Sequence, residues 1–174
     1  MGRWSREELE QAVDHFKQTA RKSATSGDWS HWANLFTEDA TYREHHFGRF
    51  CGREAIYKWI SAITKDYPMN HMIYFPWTWH VIDEERGWVI CELMNRMKDP
   101  GDGSLHEEPN ITIIHYAGNN QWKYEEDAYD WQNMAVMIEN WQRTKDRCEA
   151  AIREGRDPRA ERHLAAIQNV GSAR

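Results

Sequence analysis

Residues 72–129 hold four stretches rich in branched and aromatic side chains, separated by turn signals. That pattern admits little besides an antiparallel sheet. The stretch 87–98 alternates, with Val89, Cys91, Leu93 and Met97 on one face and Glu92, Arg96 and Lys98 on the other. Asp99-Pro100-Gly101-Asp102-Gly103 ends it, and Gly118-Asn119-Asn120 predicts a hairpin between strands 108–117 and 121–129. Within 72–83, Pro76 has no N–H to give to a ladder and predicts an edge position or a bulge.

Helical periods flank this region. Ser5 and Glu8 form a capping-box pattern, and Leu9, Val13, Phe16 and Ala20 recur at helical spacing, which predicts a helix over 6–23. Asp28 follows the Ser26-Gly27 break and predicts a second, short helix with Trp29, Trp32, Leu35 and Phe36 on one face. A short strand is expected at 40–46 and a loop at 48–52. A third helix is expected at 53–65, with Ile56, Trp59, Ile60 and Ile63 inward. Asp130 predicts the cap of a helix over 131–154 that Gly155 ends, and Asp157-Pro158 opens a short terminal helix. Helices grouped on one side of a curved antiparallel sheet define an α+β class. Residues 1–141 form the domain and 142–174 its helical extension.

The 174 residues can bury a sizeable core without disulfides or metal. A net charge of -6 lacks the basic face that nucleic-acid binding needs. No apolar run is long enough to span a bilayer and the N-terminus has no signal-like stretch, so the expected location is cytoplasmic. Cys51, Cys91 and Cys148 are far apart and in no Cys-x-x-Cys arrangement, which reads as reduced thiols. Ten tryptophans supply large, rigid apolar surface, enough to fill a core and to line a pocket for a ring-bearing ligand.

Gly27-Asp28-Trp29, then Leu35-Phe36-Thr37-Glu38-Asp39-Ala40-Thr41-Tyr42, then Gly52-Arg53-Glu54-Ala55-Ile56 resembles the N-terminal half of the nuclear transport factor 2-like superfamily, its SnoaL-like branch in particular. The Tyr116-Ala117-Gly118-Asn119 hairpin and the stretch from Trp122 to Asp130 agree with it. The resemblance implies a cone-shaped curved sheet around one internal pocket. It also implies a homodimer through the sheet and a small hydrophobic molecule as partner. It does not choose among isomerases, polyketide cyclases, epoxide hydrolases, dehydratases and non-catalytic binding modules, so chemistry must come from residues.

Sliding the isomerase motif onto this chain puts its catalytic base at Glu44, and Tyr42, Glu44 and His46 share a strand face by period two. A carboxyl in an apolar pocket has its pKa raised and becomes a usable proton shuttle near neutral pH. The isomerase's oxyanion-hole positions fall on Ala20 and near Thr112, with Asn110 on the same face as Thr112. The resemblance to limonene-type hydrolases and cyclases points to Asp127 on the last strand, with Tyr129 beside it. The hydrolase's middle-strand arginine and aspartate fall on Leu93 and Asn95, which argues against epoxide opening and leaves Asn95 as a ligand-binding amide. Superfamily dehydratases pair histidine with an acid, which makes His71 with Glu44 or Asp127 a candidate pair. His45 and His46 point to opposite faces, so no metal site is read there. No phosphate loop, nucleophile elbow or dinucleotide fingerprint is present, and no cofactor is expected. Two functions stay open: cofactor-independent acid–base catalysis (isomerase, cyclase or dehydratase type) on a small carbonyl compound, and a non-catalytic small-molecule-binding or dimerisation module.

Overall fold

The computed structural model describes residues 3–171. Helix α1 (Arg6–Ser26) starts where Ser5 accepts from the Glu8 N–H at 3.1 Å and stops at Gly27 in the left-handed conformation, one turn beyond the end read from periodicity. Helix α2 is a single turn, Ser30–Ala33, whose Ser30 N–H is taken by Asp28 at 2.9 Å. Leu35 and Phe36 do not extend it. The chain turns instead into β1 (Phe36–Glu44), because Phe36, Ala40, Tyr42 and Glu44 are all drawn to the buried side.

The segment read as a loop is a short strand, β2 (Gly48–Cys51), folded back antiparallel on β1. Helix α3 (Arg53–Ile63) buries Ile56 and Ile60. Strands β3 (Met72–Tyr74) and β4 (Trp77–Asp83) flank Pro76 and both pair with β5 (Trp88–Met97), the ladder shifting register just past the proline. Strands β6 (Glu107–Gly118) and β7 (Gln121–Ala128) complete the sheet, and α4 (Trp131–Arg153) and α5 (Pro158–Gly171) follow. Asp130 caps α4 by accepting from the Gln132 and Asn133 N–H groups.

The fold is α+β, with a curved seven-stranded sheet in the order β2-β1-β7-β6-β5-β3 and β4 also on β5. All pairs are antiparallel except β1 with β7, which run parallel. That pairing joins strands far apart in sequence, where no hairpin dictates direction. Lys123 is an extra residue in β7: His115 pairs with Tyr124 and Tyr116 with Trp122, so Trp122 and Glu125 both face inward. Leu9, Val13, Phe16, Trp32, Phe36 and Trp122 form the core between α1 and the concave face. Cys51, Cys91 and Cys148 are free thiols. Among the described residues, no helix is long and apolar enough to cross a membrane.

Candidate active site

The concave face encloses a cavity of about 440 Å³ bounded by α1, α3, the β3–β4 segment, the sheet and the start of α4. Its wall is rich in aromatic rings, among them those of Trp29, Trp32, Trp59, Phe75, Trp77 and Trp131. The acidic and amide groups gather on the β1, β7, β6 and β5 side. Tyr42 stands opposite Glu125 and Glu44 opposite Asp127 in the parallel ladder, while Thr112 stands opposite Asp127 across β6.

Glu44 is 3% exposed and lines the cavity. Its Oε2 accepts from the backbone N–H of His46 at 2.7 Å and from that of Phe47. This grip turns the chain at the end of β1 and leaves Oε1 for a ligand. Tyr129 is on the cavity wall, and burial first, with Glu44 and Asp127 near it, pushes its hydroxyl pKa far up.

Asp127 accepts from the Tyr42 hydroxyl on one oxygen and from the Thr112 hydroxyl on the other. Burial raises its pKa, these hydroxyls and Asn110 pull it back, and Glu44 pushes it up again. The raised side of that balance prevails. Asp127 is half-buried because part of its surface faces the cavity. Thr112 is fully buried behind it and does not line the cavity. Asn110 lines the cavity, donates to Thr112 at 3.2 Å, and has no partner for its buried Oδ1. Asn95 is a buried residue on the wall.

Sequence reasoning missed Glu125. It is 4% exposed, lines the cavity, and has an Oε2 without a hydrogen-bond partner. Burial holds its carboxyl well above the usual range, Asp127 beside it adds to this, and Tyr42 opposes it. Its signal was the shared face with Asp127 and Tyr129 at period two, hidden from the Trp122 end by the Lys123 bulge.

Two expected site residues stand elsewhere. His46 lies past the end of β1, exposed, its ring stacked on Trp131 at 3.9 Å between centroids. Period two fails there because Glu44 captures the next N–H groups and bends the backbone. His71 ends a single 3-10 turn, takes Asn70 Oδ1 at 2.6 Å, and packs on Tyr67 and Trp141 outside the cavity wall. Burial and the nearby Lys145 and Lys98 lower its pKa. The geometry therefore gives no pairing of His71 with Glu44 or Asp127.

Among the described residues, no group of three or more His, Cys, Asp or Glu side chains is arranged to hold a metal ion. What the site offers is proton chemistry: two carboxyls with raised pKa values, a third gripped by backbone, and two tyrosine hydroxyls, all facing apolar space.

The SnoaL-like domain family matches residues 5–149. No curated protein matches the chain. Among solved structures, the chain is similar to a protein with a ketosteroid isomerase-like fold from Catenulispora acidiphila in complex with trimethylamine (20% identity, 71% of this chain and 91% of that one, TM-score 0.55). It is also similar to a nuclear transport factor 2-like protein from Anabaena variabilis (11% identity, 75% and 95%, TM-score 0.55). A third is an epoxide hydrolase from M. tuberculosis (11% identity, 79% and 89%, TM-score 0.57). At these identities the likeness is one of fold.

Proposed function

Because the chain belongs to the SnoaL-like domain family, we propose that it is a cofactor-independent acid–base enzyme. Its reaction is of the isomerase, cyclase or dehydratase type, on a small, mostly apolar carbonyl compound of the polyketide or steroid kind. The observation that carries this reading is the pairing of Glu44 with Asp127 on adjacent strands, both lining one cavity rich in aromatic rings.

Glu44 Oε1 takes a proton from the carbon next to the carbonyl while its other oxygen stays anchored to the backbone. The electron pair moves into the carbonyl. Asp127, whose pKa burial raises, returns a proton to the oxygen or to a leaving hydroxyl. The substrate thus loses one proton at carbon and gains one at oxygen. The two neighbouring carboxyls exchange that proton before the next turnover. Tyr42 orients Asp127, and Thr112 and Asn110 support it from β6. Asn95 and Tyr129 are the wall groups that position the ligand.

A second reading, a binding module without chemistry, is favoured by one observation: both Asp127 oxygens are already filled by hydroxyls. The outer face of the sheet supports a homodimer, since Trp79, Val81 and Trp88 are exposed on neighbouring strands β4 and β5. The three free thiols support a reducing, cytoplasmic setting.

The test is hydrogen–deuterium exchange next to the carbonyl in a panel of cyclic ketones and enones, followed by NMR in D2O. The wild-type chain accelerates exchange for at least one member, and Glu44→Gln loses at least roughly a hundredfold of that rate. Equal rates with and without protein across the panel would overturn the reading in favour of the binding module.

A further inference from the structure

Glu125 and Asn110 both line the cavity, and each holds one buried acceptor oxygen without a partner, Glu125 Oε2 and Asn110 Oδ1. An acceptor taken out of water and left unpaired costs free energy, so such a pair marks a place where a ligand's donors belong. Around that acidic end stand the rings of Tyr42, Phe47, Trp59, Tyr129 and Trp131. Tyr42 packs on Trp59 at 4.8 Å between centroids, and Phe47 packs on Trp131 at 5.7 Å.

The charges do not balance within this end of the cavity. The ion pairs of this part of the sheet belong to Glu126, which meets Arg43 at 3.1 Å and His45 at 2.7 Å on the outer face. Among the described residues, none engages Glu44, Glu125 or Asp127. Three basic side chains reach the wall elsewhere. Lys17 lies over the Trp77 ring at 4.7 Å, Arg96 pairs with Glu107, and Arg21 is an exposed residue of α1. None of them is among the groups that act on Glu125; burial and Asp127 hold its carboxyl toward the protonated form. The carboxyls do not converge as metal ligands either. An acidic, acceptor-rich end walled by ring faces is complementary to an organic cation, which sends the Glu125 proton to solvent on seating and gains from the carboxylate so formed and from the ring quadrupoles together.

We propose that this cavity takes a substrate bearing an ammonium group, seated against Glu125 and within the aromatic wall. The inference rests on the reading of the cavity as the small-molecule site, and it narrows the substrate class: a mostly apolar carbonyl compound that also bears an amine.

The experiment compares two probes of one shape on the full chain by tryptophan fluorescence: benzylammonium, which carries N–H donors, and ethylbenzene, in which a methyl group replaces the ammonium. The cation binds at least about tenfold tighter than its neutral isostere. Glu125→Gln, which keeps the shape and the hydrogen-bonding capacity, reduces the cation's affinity to that of the isostere. Equal or tighter binding of ethylbenzene to the wild-type chain overturns the inference while leaving the cavity as a site for apolar ligands. Binding of neither probe overturns both. A preference for the cation that survives Glu125→Gln overturns the assignment of Glu125 as its partner. The wild-type comparison stands whether or not the variant folds.

Discussion

The Tyr42 hydroxyl donates to Asp127 across two parallel strands that lie some eighty residues apart in the chain. The tyrosine therefore reports on the acid. Tyr42→Phe removes one of the donors that hold the Asp127 pKa down. The expected result is an upward movement of the Asp127 titration, read by carboxyl NMR, together with a stability loss of about 1–3 kcal/mol from the unpaired buried oxygen. A titration that stays in place would mean that Tyr42 and Asp127 are not coupled.

Glu125 makes stability depend on pH in the direction opposite to an ordinary salt-bridged acid. Its folded pKa is raised, by burial first and by Asp127 second. Between the ordinary glutamate value and that raised value the folded chain holds a proton that the unfolded chain has lost. Stability from this group is complete below the ordinary value and is lost as pH rises through the folded one. Glu125→Gln cannot ionise, so its unfolding midpoint should fall less between pH 5 and pH 8 than that of the wild type. Parallel midpoint curves for the two chains would show that Glu125 does not carry this proton.

The two histidines that stand outside the cavity give a negative prediction. His46→Ala removes a stack on Trp131, and His71→Ala removes a contact with Trp141. Each is expected to change turnover by less than about threefold, against roughly a hundredfold for a positioned base. A large loss in His71→Ala would restore the histidine–acid pair that the sequence suggested.

The outer sheet face gives a prediction on assembly. Val81 is 54% exposed, and Trp79 and Trp88 lie near it on the same surface. Val81→Lys puts a charge into that patch and should convert a dimer to a monomer in light scattering, with the fold unchanged. A wild-type chain that is already monomeric would remove the dimer from the account.

Much of the fold was legible because its signals are local. Ser5, Asp130 and Pro158 mark helix starts, and Gly118-Asn119-Asn120 marks the hairpin. Glu44 and Asp127 were singled out by the family resemblance, and the structure places both on the cavity wall. What escaped depended on distant pairing. The parallel union of β1 and β7 has no local signature. Glu125 shares the face of Asp127 at period two, beyond the bulge at Lys123, but no family motif pointed to it. The strand ends at Glu44 because a side chain captures backbone N–H groups beyond it, so extending the period to His46 failed.

The central claim is that Glu44 and Asp127 act on one molecule in one cavity. A double-mutant cycle on exchange next to the carbonyl tests it, with Glu44→Gln, Asp127→Asn and both together. Groups that act as a unit are non-additive, so the double variant should lose little more than the worse single one. Losses that simply multiply, or an Asp127→Asn chain with full activity, would contradict the shared site.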